Sequence, residues 1–245
     1  MLSIFLTKIN IQYIQNSNCN INLLDLTFLT LSGPNINEQN IFVNFEWLLV
    51  QCTFLYLFVD IGFSNFFKKG NLILLRVGSR AKLCMLIILE IIFKILIFLV
   101  IQLLTVLVMG MCLFPIKWSN TILATSKLMR IHLNNFYTVI YMLLLLFLTY
   151  ITLALIQNTI SIIFKTPIIS IVFYCILQFF TLNSGKINKN LIKWLPGNQS
   201  IIVRHTFIDP SIPYFSITWS ILYNLLFIII LIIISFLYTS KLDII

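Results

Sequence analysis

Long apolar runs, separated by short polar segments, fill most of the chain after residue 40. A helix needs about 20 predominantly apolar residues to cross the roughly 30 Å hydrocarbon core of a bilayer, and each run reaches about that length. The pattern therefore predicts five membrane-spanning helices, at about residues 41–66, 83–114, 136–156, 160–181 and 215–238. Because five is an odd number, the pattern also places the two termini on opposite faces of the membrane.

Short polar segments predict where these helices end. Residues 157–159, with the sequence Gln-Asn-Thr, are expected to separate the third span from the fourth. The fourth span is interrupted at residues 165–167, and Pro167 is an alternative start for it, because proline is favoured in the first turn of a helix. The second span is longer than a perpendicular crossing requires, so it is expected to tilt or to begin as an interfacial helix.

Three less apolar segments are expected at the membrane faces. Residues 1–40 are rich in asparagine and contain a short amphipathic piece at 23–31, which predicts an external or interfacial segment with one short helix. Residues 116–135 predict an amphipathic helix lying on a membrane face. Residues 183–214 predict short helices packed into an external re-entrant region, with the candidate residues Trp194, Pro196, Gly197 and Arg204.

Composition narrows the class of protein. Of the 245 residues, 60% are hydrophobic and 9% are charged, and the mean hydropathy is +1.03. Soluble domains carry roughly 25% charged residues, so this chain lacks the polar surface that a soluble protein needs. The sequence therefore predicts an all-α, polytopic membrane protein. Its heavy use of isoleucine, asparagine, phenylalanine and lysine is typical of an AT-rich genome, in a low-GC bacterium or an organelle.

The net charge of +9 comes largely from basic residues between apolar runs. This placement favours basic loops held at a membrane face over a nucleic-acid-binding surface. Five of them fall within residues 67–83: Lys68, Lys69, Arg76, Arg80 and Lys82. The predicted spans put 7 basic residues on the face of this loop and 8 on the other, so the raw count is almost balanced. The positive-inside rule gives most weight to compact loops beside spans, and on that weighting residues 67–83 are cytoplasmic.

The chain lacks the sequence signatures of common catalytic and metal sites. Residues 184–187 contain a Gly-Lys pair but lack the upstream glycine and the following Ser or Thr of a phosphate-binding loop. The chain has no HExxH and no GxSxG sequence, and its five cysteines show no CxxC spacing. We therefore expect no enzymatic activity in this chain, no metal site and no cofactor.

Charged side chains inside the second predicted span form a candidate intramembrane site. Glu90 and Lys94 are four residues apart with the acid on the N-terminal side, so they lie on one helical face and can pair. Gln102 is expected roughly to extend this face, and the three residues together predict a helix side that faces protein rather than lipid. These residues predict a contact in a translocation path or a subunit interface. Alternatively, Glu90 and Lys94 only neutralise each other.

The order of these features resembles permease subunits of type-2 ABC exporters. A span is followed by a basic loop ending in Arg-x-x-Ser-Arg at 76–80 and by a long apolar segment. Near the other end, Leu-Pro-Gly at 195–197 precedes a last span that closes with Tyr238, Lys241, Asp243 and Ile244. The resemblance covers about residues 40–245 and is to small permeases of Gram-positive bacteria, which are associated with export of, or immunity to, bacteriocins and other amphipathic peptides.

Members of this family usually have six spans, and their usual first span has no counterpart among the five predicted here. Residues 1–40 resemble the external segment between the family's first and second spans. We therefore expect either a chain that starts late or a divergent member with five spans.

The resemblance implies a multi-pass subunit of the cell membrane that works with a separate ATPase subunit, as a homodimer or with a second permease. It implies outward movement of a peptide-like or hydrophobic substrate, contact with membrane lipid, and no nucleic acid. The family's ATPase-contact loop corresponds to residues 71–82, which gives the candidate contact residues Arg76, Gly78, Ser79, Arg80 and Lys82. Alternatively, these basic residues only anchor lipid phosphates.

A second class of protein, with a different function, is compatible with this composition. An organelle-encoded subunit of a respiratory or ATP synthase complex, in the mitochondrial inner membrane, would show the same base bias and apolar helices. Such subunits tend to carry an arginine or several carboxylates in mid-span, and Glu90 with Lys94 is the candidate for that here. A membrane-integral enzyme is disfavoured, because the sequence shows no paired histidines or carboxylates.

Overall fold

A computed structural model of the chain describes residues 23–36, 41–59, 61–68, 78–112, 135–212 and 214–241. These residues form helices and turns, and no strand occurs among them. The α-helices of nine or more residues are α1 (Leu23–Leu31), α2 (Ile41–Phe58), α3 (Arg80–Met111), α4 (Asn135–Ile163), α5 (Pro167–Ile187) and α6 (Ile217–Lys241). Three 3₁₀ turns connect α5 to α6, at Lys189–Trp194, Pro196–Ser200 and Ile202–Arg204.

Helices α3, α4, α5 and α6 are long and apolar enough to cross a membrane, which confirms the predicted all-α, polytopic class. The first predicted span, 41–66, differs from them. Its α-helix, α2, ends at Phe58, and the chain continues as a helical turn (Ile61–Phe63) and a π-helical turn (Ser64–Lys68). Gly62 and Ser64 are weaker helix formers than the leucines of α2, and both lie in this irregular stretch.

The predicted break at residues 157–159 is wrong, because α4 continues through them to Ile163. The side chains of Gln157 and Thr159 find partners inside the bundle, and the helix does not end at them. The amide of Gln157 donates to Leu55 O at 3.2 Å, and Thr159 Oγ1 lies 3.0 Å from Ser235 Oγ. The chain turns at residues 164–166 instead, so the alternative start at Pro167 is the one the structure adopts.

Hydrogen bonds place the start of α3, the α4–α5 corner and the end of α6 at one end of the bundle. The Arg80 guanidinium donates to Ser240 O at 3.1 Å, and Tyr238 OH donates to Ile163 O at 3.0 Å. The chain corner at Lys165 therefore lies on the same face as the described part of the basic loop, as the predicted topology requires. Helix α1, the C-terminus of α5 and the 3₁₀ turns lie at the opposite end.

Helix α4 is the most buried of the four long helices, and α3, α5, α6 and a 3₁₀ turn pack around it. An aromatic cluster fills the middle of the bundle, where Phe54 of α2 stacks on Tyr150 of α4 with ring centroids 4.6 Å apart. Polar side chains join α4 to α6, since Thr152 Oγ1 donates to Asn224 Oδ1 at 2.7 Å. Such hydrogen bonds between helices help to hold membrane bundles together, where lipid supplies no hydrophobic driving force.

Candidate functional site

The described part of the predicted ATPase-contact loop is residues 78–82, here called the basic elbow. Gly78 has a φ of +76°, in the left-handed region that favours glycine. Ser79 then caps α3, because its Oγ accepts from Lys82 N at 3.3 Å. Arg76, which the sequence also assigns to this contact, lies outside the described residues.

Arg80 and Lys82 occupy the first turn of α3, where the helix dipole disfavours positive charge. Arg80 is compensated by its bond to Ser240 O, in the last turn of α6, where a cation is favourable. Lys82 is exposed. The elbow is thus a cationic element attached to the ends of two long helices, and it can bind carboxylates or phosphates.

The intramembrane pair predicted from the sequence forms an ion pair, with Lys94 Nζ 2.6 Å from Glu90 Oε1. Asn65 Nδ2 donates to the other carboxylate oxygen, Oε2, at 2.9 Å. The side chains of Lys94 and Glu90 remain 47% and 39% exposed, on the outer face of α3.

The depth of this pair follows from its distance to the aromatic cluster. Phe98 packs edge-on against Tyr150, which lies near the middle of α4. At a rise of 1.5 Å per residue, Lys94 and Glu90 are about 6 and 12 Å along α3 from that level. Both distances are smaller than the roughly 15 Å half-thickness of a hydrocarbon core. The pair therefore faces outward at hydrocarbon depth.

Gln102 does not extend this face, so that prediction is wrong. Gln102 lies eight positions after Lys94, which turns its side chain by about 80° around the helix axis relative to that of Lys94. Gln102 is buried, whereas Lys94 is exposed, and Gln102 Oε1 has no hydrogen-bond partner among the described residues. Of the three residues, only Gln102 faces the interior of this chain. Glu90 and Lys94 face outward.

A second polar cluster, which sequence reasoning missed, joins α2 to α5. The buried Gln51 Oε1 accepts from Tyr174 OH at 2.7 Å and from Gln178 Nε2 at 3.3 Å. Tyr174 and Gln178 are four residues apart on one face of α5, and that spacing was the available signal. These two hydrogen bonds join α2 to α5 beside the aromatic cluster, and Gln178 Oε1 has no hydrogen-bond partner among the described residues.

The predicted re-entrant region forms a folded cap, defined here as residues 188–212 and 214–216. Arg204, one of its candidate residues, is 1% exposed. Its Nε donates to Pro34 O at 3.1 Å, and its Nη1 donates to Thr181 O at 2.7 Å and to Asn198 Oδ1 at 2.5 Å. Burial lowers the pKa of Arg204 to about 10, which leaves the side chain charged at neutral pH. One guanidinium thus joins residues 33–36, the C-terminus of α5 and the cap.

The other cap candidates attach it to α5 and α6. Gly197 lies so close to α5 that an added Cβ would be 2.5 Å from Thr181 Oγ1. Pro196 is buried at the first position of the second 3₁₀ turn. The half-exposed ring of Trp194 packs edge-on against Trp219 at 5.3 Å, and Tyr223 OH donates to Trp194 O at 2.6 Å. Tryptophan and tyrosine favour the membrane–water interface, so these rings indicate the headgroup level.

His205 was not predicted as a site residue, and it is fully buried beside Arg204. Its Nδ1 lies 3.1 Å from Ile201 O, so Nδ1 carries the proton, because a carbonyl only accepts. Nε2 then accepts from Ser220 Oγ at 2.8 Å, and the ring stacks on Phe215 at 4.2 Å. Burial lowers the pKa of His205 to about 4, although the carbonyls of Ile201 and Ile202 partly oppose this. The ring is neutral at physiological pH.

Gly33 is expected to tolerate alanine less well than Gly78, although both have a positive φ. A Cβ on Gly33 would lie 3.0 Å from the Ile201 side chain of the cap, whereas one on Gly78 meets nothing within 4 Å. We expect Gly78→Ala to cost about 1 kcal/mol through backbone strain, and Gly33→Ala to cost about 1 kcal/mol more through crowding. Thermal unfolding of the two variants in detergent measures the difference, and equal losses would contradict the contact with Ile201.

No family model, curated protein or solved structure matches the chain. Within the described ranges, no three His, Cys, Asp or Glu side chains come together in a group that could hold a metal ion. The candidate sites are therefore the basic elbow, the outward-facing ion pair on α3, the buried cluster between α2 and α5, and the cap.

Proposed function

We propose that the chain is the membrane-spanning permease subunit of an ATP-driven ABC exporter. In this proposal a separate ATPase subunit binds the basic elbow from the cytoplasm, and the permease acts in the cell membrane as a pair of chains, identical or related. The substrate is a peptide, a bacteriocin or another amphipathic or hydrophobic molecule, moved outward or cleared from the membrane. The chain itself hydrolyses no nucleotide.

The observation that carries this proposal is the mechanical attachment of the basic elbow. Arg80 links the start of α3 to the end of α6 through Ser240 O, and Leu83 N donates to Ser79 O at 3.1 Å. Helix α6 is joined in turn to α4 by the Thr152–Asn224 hydrogen bond. A force applied at the elbow would therefore move three long helices, which is what an ATPase must do to alternate the exposure of a transport path.

The outward face of α3 supports the second permease in this proposal. A charged group in contact with lipid at hydrocarbon depth costs about 3 kcal/mol on insertion scales, so ionisable residues there usually face protein or water. Glu90 and Lys94 offer one charge of each sign on the same exposed surface. In a pair of chains, this surface is the side of α3 that would meet the neighbouring permease.

Charge reversal at the elbow tests the ATPase contact. We expect Arg76→Glu with Arg80→Glu to weaken binding of the ATPase at least tenfold, because the variant replaces two attractive charges with repulsive ones at the proposed contact. The readout is the amount of ATPase encoded by an adjacent reading frame that co-purifies per permease in mild detergent.

A matched control makes the same change in charge at the other end of the bundle. Lys186 and Lys189 are both exposed there, and Lys186→Glu with Lys189→Glu should leave co-purification unchanged. Retention of the ATPase by the elbow variant, or equal loss in the control, would refute the contact. A reading frame that lies within a mitochondrial gene set, without a neighbouring ATPase, would refute the exporter and favour the respiratory or ATP synthase alternative.

A further inference from the structure

An open crevice lies between the first turns of α3 and the last turns of α6. Its lining consists of Ala81, Lys82, Met85, Leu86, Ile232 and Phe236, and its volume is about 770 Å³. Both helices belong to the set that can cross a membrane, and the crevice lies where the two ends meet. It therefore faces the lipid phase just inside the basic end of the bundle.

The lining is apolar, and two basic residues lie at the end nearest the start of α3. Met85 and Leu86 are 49% and 48% exposed on the α3 side, and Ile232 and Phe236 form the α6 side. Lys82 lies one turn closer to the helix start than Leu86. Its aliphatic stem contributes to the apolar lining, and its exposed side chain carries a positive charge at that end of the crevice. Arg80 adds a second positive charge beyond it, at the Ser240 carbonyl. An apolar crevice that ends in positive charge matches a molecule with a hydrocarbon chain and an anionic head.

We propose that this crevice binds one anionic phospholipid, with an acyl chain against Met85, Leu86, Ile232 and Phe236 and the phosphate at Lys82. Charge complementarity selects this occupant. The phosphate of a lipid lies at the level where spanning helices end, and basic pockets between spanning helices on the cytoplasmic side bind anionic headgroups. A zwitterionic lipid presents its own ammonium beside the phosphate and gains less from Lys82.

The inference is separate from the proposed ATPase contact. That contact depends on the aqueous side of the basic elbow, whereas the lipid site depends on the membrane side and uses Lys82. If lipid occupies Lys82, the ATPase contact is left to Arg76, Ser79 and Arg80. An anionic lipid in this crevice would then lie against the same two helix ends that an ATPase must move.

Photolabelling tests the site directly. The purified chain is incorporated into phosphatidylcholine nanodiscs with a trace of phosphatidylglycerol carrying a diazirine on its acyl chain, and labelled peptides are mapped by mass spectrometry. We expect labelling concentrated on residues 85–86 and 232–236, displaced by unlabelled phosphatidylglycerol but not by additional phosphatidylcholine. Uniform labelling along the exposed faces of α3, α5 and α6, or equal displacement by both lipids, would overturn the proposal.

Two variants separate charge from shape. Lys82→Gln should reduce labelling in the crevice about fivefold, as expected for one basic residue near the membrane surface, whereas Lys186→Gln at the opposite end should not. Leu86→Trp should reduce labelling by filling the crevice while it leaves ATPase co-purification intact. Unchanged labelling of the Lys82→Gln variant would overturn the lipid site. Failure of the ATPase contact shows separately, in the Arg76 and Arg80 charge reversal.

Discussion

Replacement of Arg204 with alanine is expected to destabilise the folded protein by about 3–5 kcal/mol. The guanidinium is buried and donates to Pro34 O, Thr181 O and Asn198 Oδ1. After truncation these acceptors lose their donor in a place that water does not reach, and each unsatisfied buried group costs about 1–3 kcal/mol. The loss should appear as a fall of roughly 6–20 °C in the apparent Tm of the purified protein in detergent.

Three further variants identify which property of Arg204 matters. Arg204→Met keeps most of the volume but offers no donor, so we expect a loss close to that of alanine. Arg204→Lys keeps the charge but replaces the planar fork with a compact ammonium, which should give an intermediate loss. Lys189 is an exposed cation on the same cap, and Lys189→Ala should change stability by less than about 0.5 kcal/mol. A methionine variant as stable as the natural protein would show that the hydrogen bonds contribute little.

The long helices could be predicted from the sequence because their signal is local. A run of about 20 apolar residues is visible in any window along the chain, and helices α3 to α6 all correspond to such runs. The predicted break at 157–159 failed for the opposite reason. Whether a polar side chain ends a helix depends on its partners, and those of Gln157 and Thr159 are Leu55 and Ser235, which are 102 and 76 residues away.

The candidate sites show the same division between local and distant information. The Glu90–Lys94 pair follows from a spacing of four residues, and the structure contains that ion pair. Arg204 could be named as a candidate, but its contact with Pro34 spans 170 residues, which no local pattern encodes. Gln51 was missed because one polar residue in an apolar run looks the same whether it faces lipid, water or two donors on a distant helix.

Both ends of the bundle carry exposed lysines, but among the described residues only the cap end also buries an arginine and a histidine, and this bears on function. At the basic end, Lys82 is exposed and is available to a partner or a lipid. At the other end, Arg204 and His205 are enclosed by hydrogen bonds to neutral groups. In the proposed exporter, an end that accepts a partner would move while the cap holds α5, α6 and residues 33–36 together. The stability of the cap is therefore a property that can be tested independently of transport.

Acidification is expected to weaken the cap through His205, by up to about 3 kcal/mol between pH 6.5 and pH 4. In the folded cap burial holds the pKa of His205 at about 4, whereas an opened cap exposes an imidazole with its ordinary value of 6.5. Between these values the opened state binds more protons than the folded one. Stability is therefore complete above pH 6.5, falls as the pH drops toward 4, and is independent of this group below that.

Hydrogen–deuterium exchange of residues 188–212, corrected for the intrinsic pH dependence of exchange, measures this opening free energy at each pH. His205→Gln removes the titrating ring, so the variant should lose the slope between pH 6.5 and 4 even if it is less stable at every pH. The chain has two histidines, and His132→Gln provides the matched control that should keep the slope. The natural protein and the two variants contain the same carboxylates, so the difference between their slopes isolates His205. Parallel curves for the natural protein and His205→Gln would contradict the assignment of a neutral, buried imidazole to the cap.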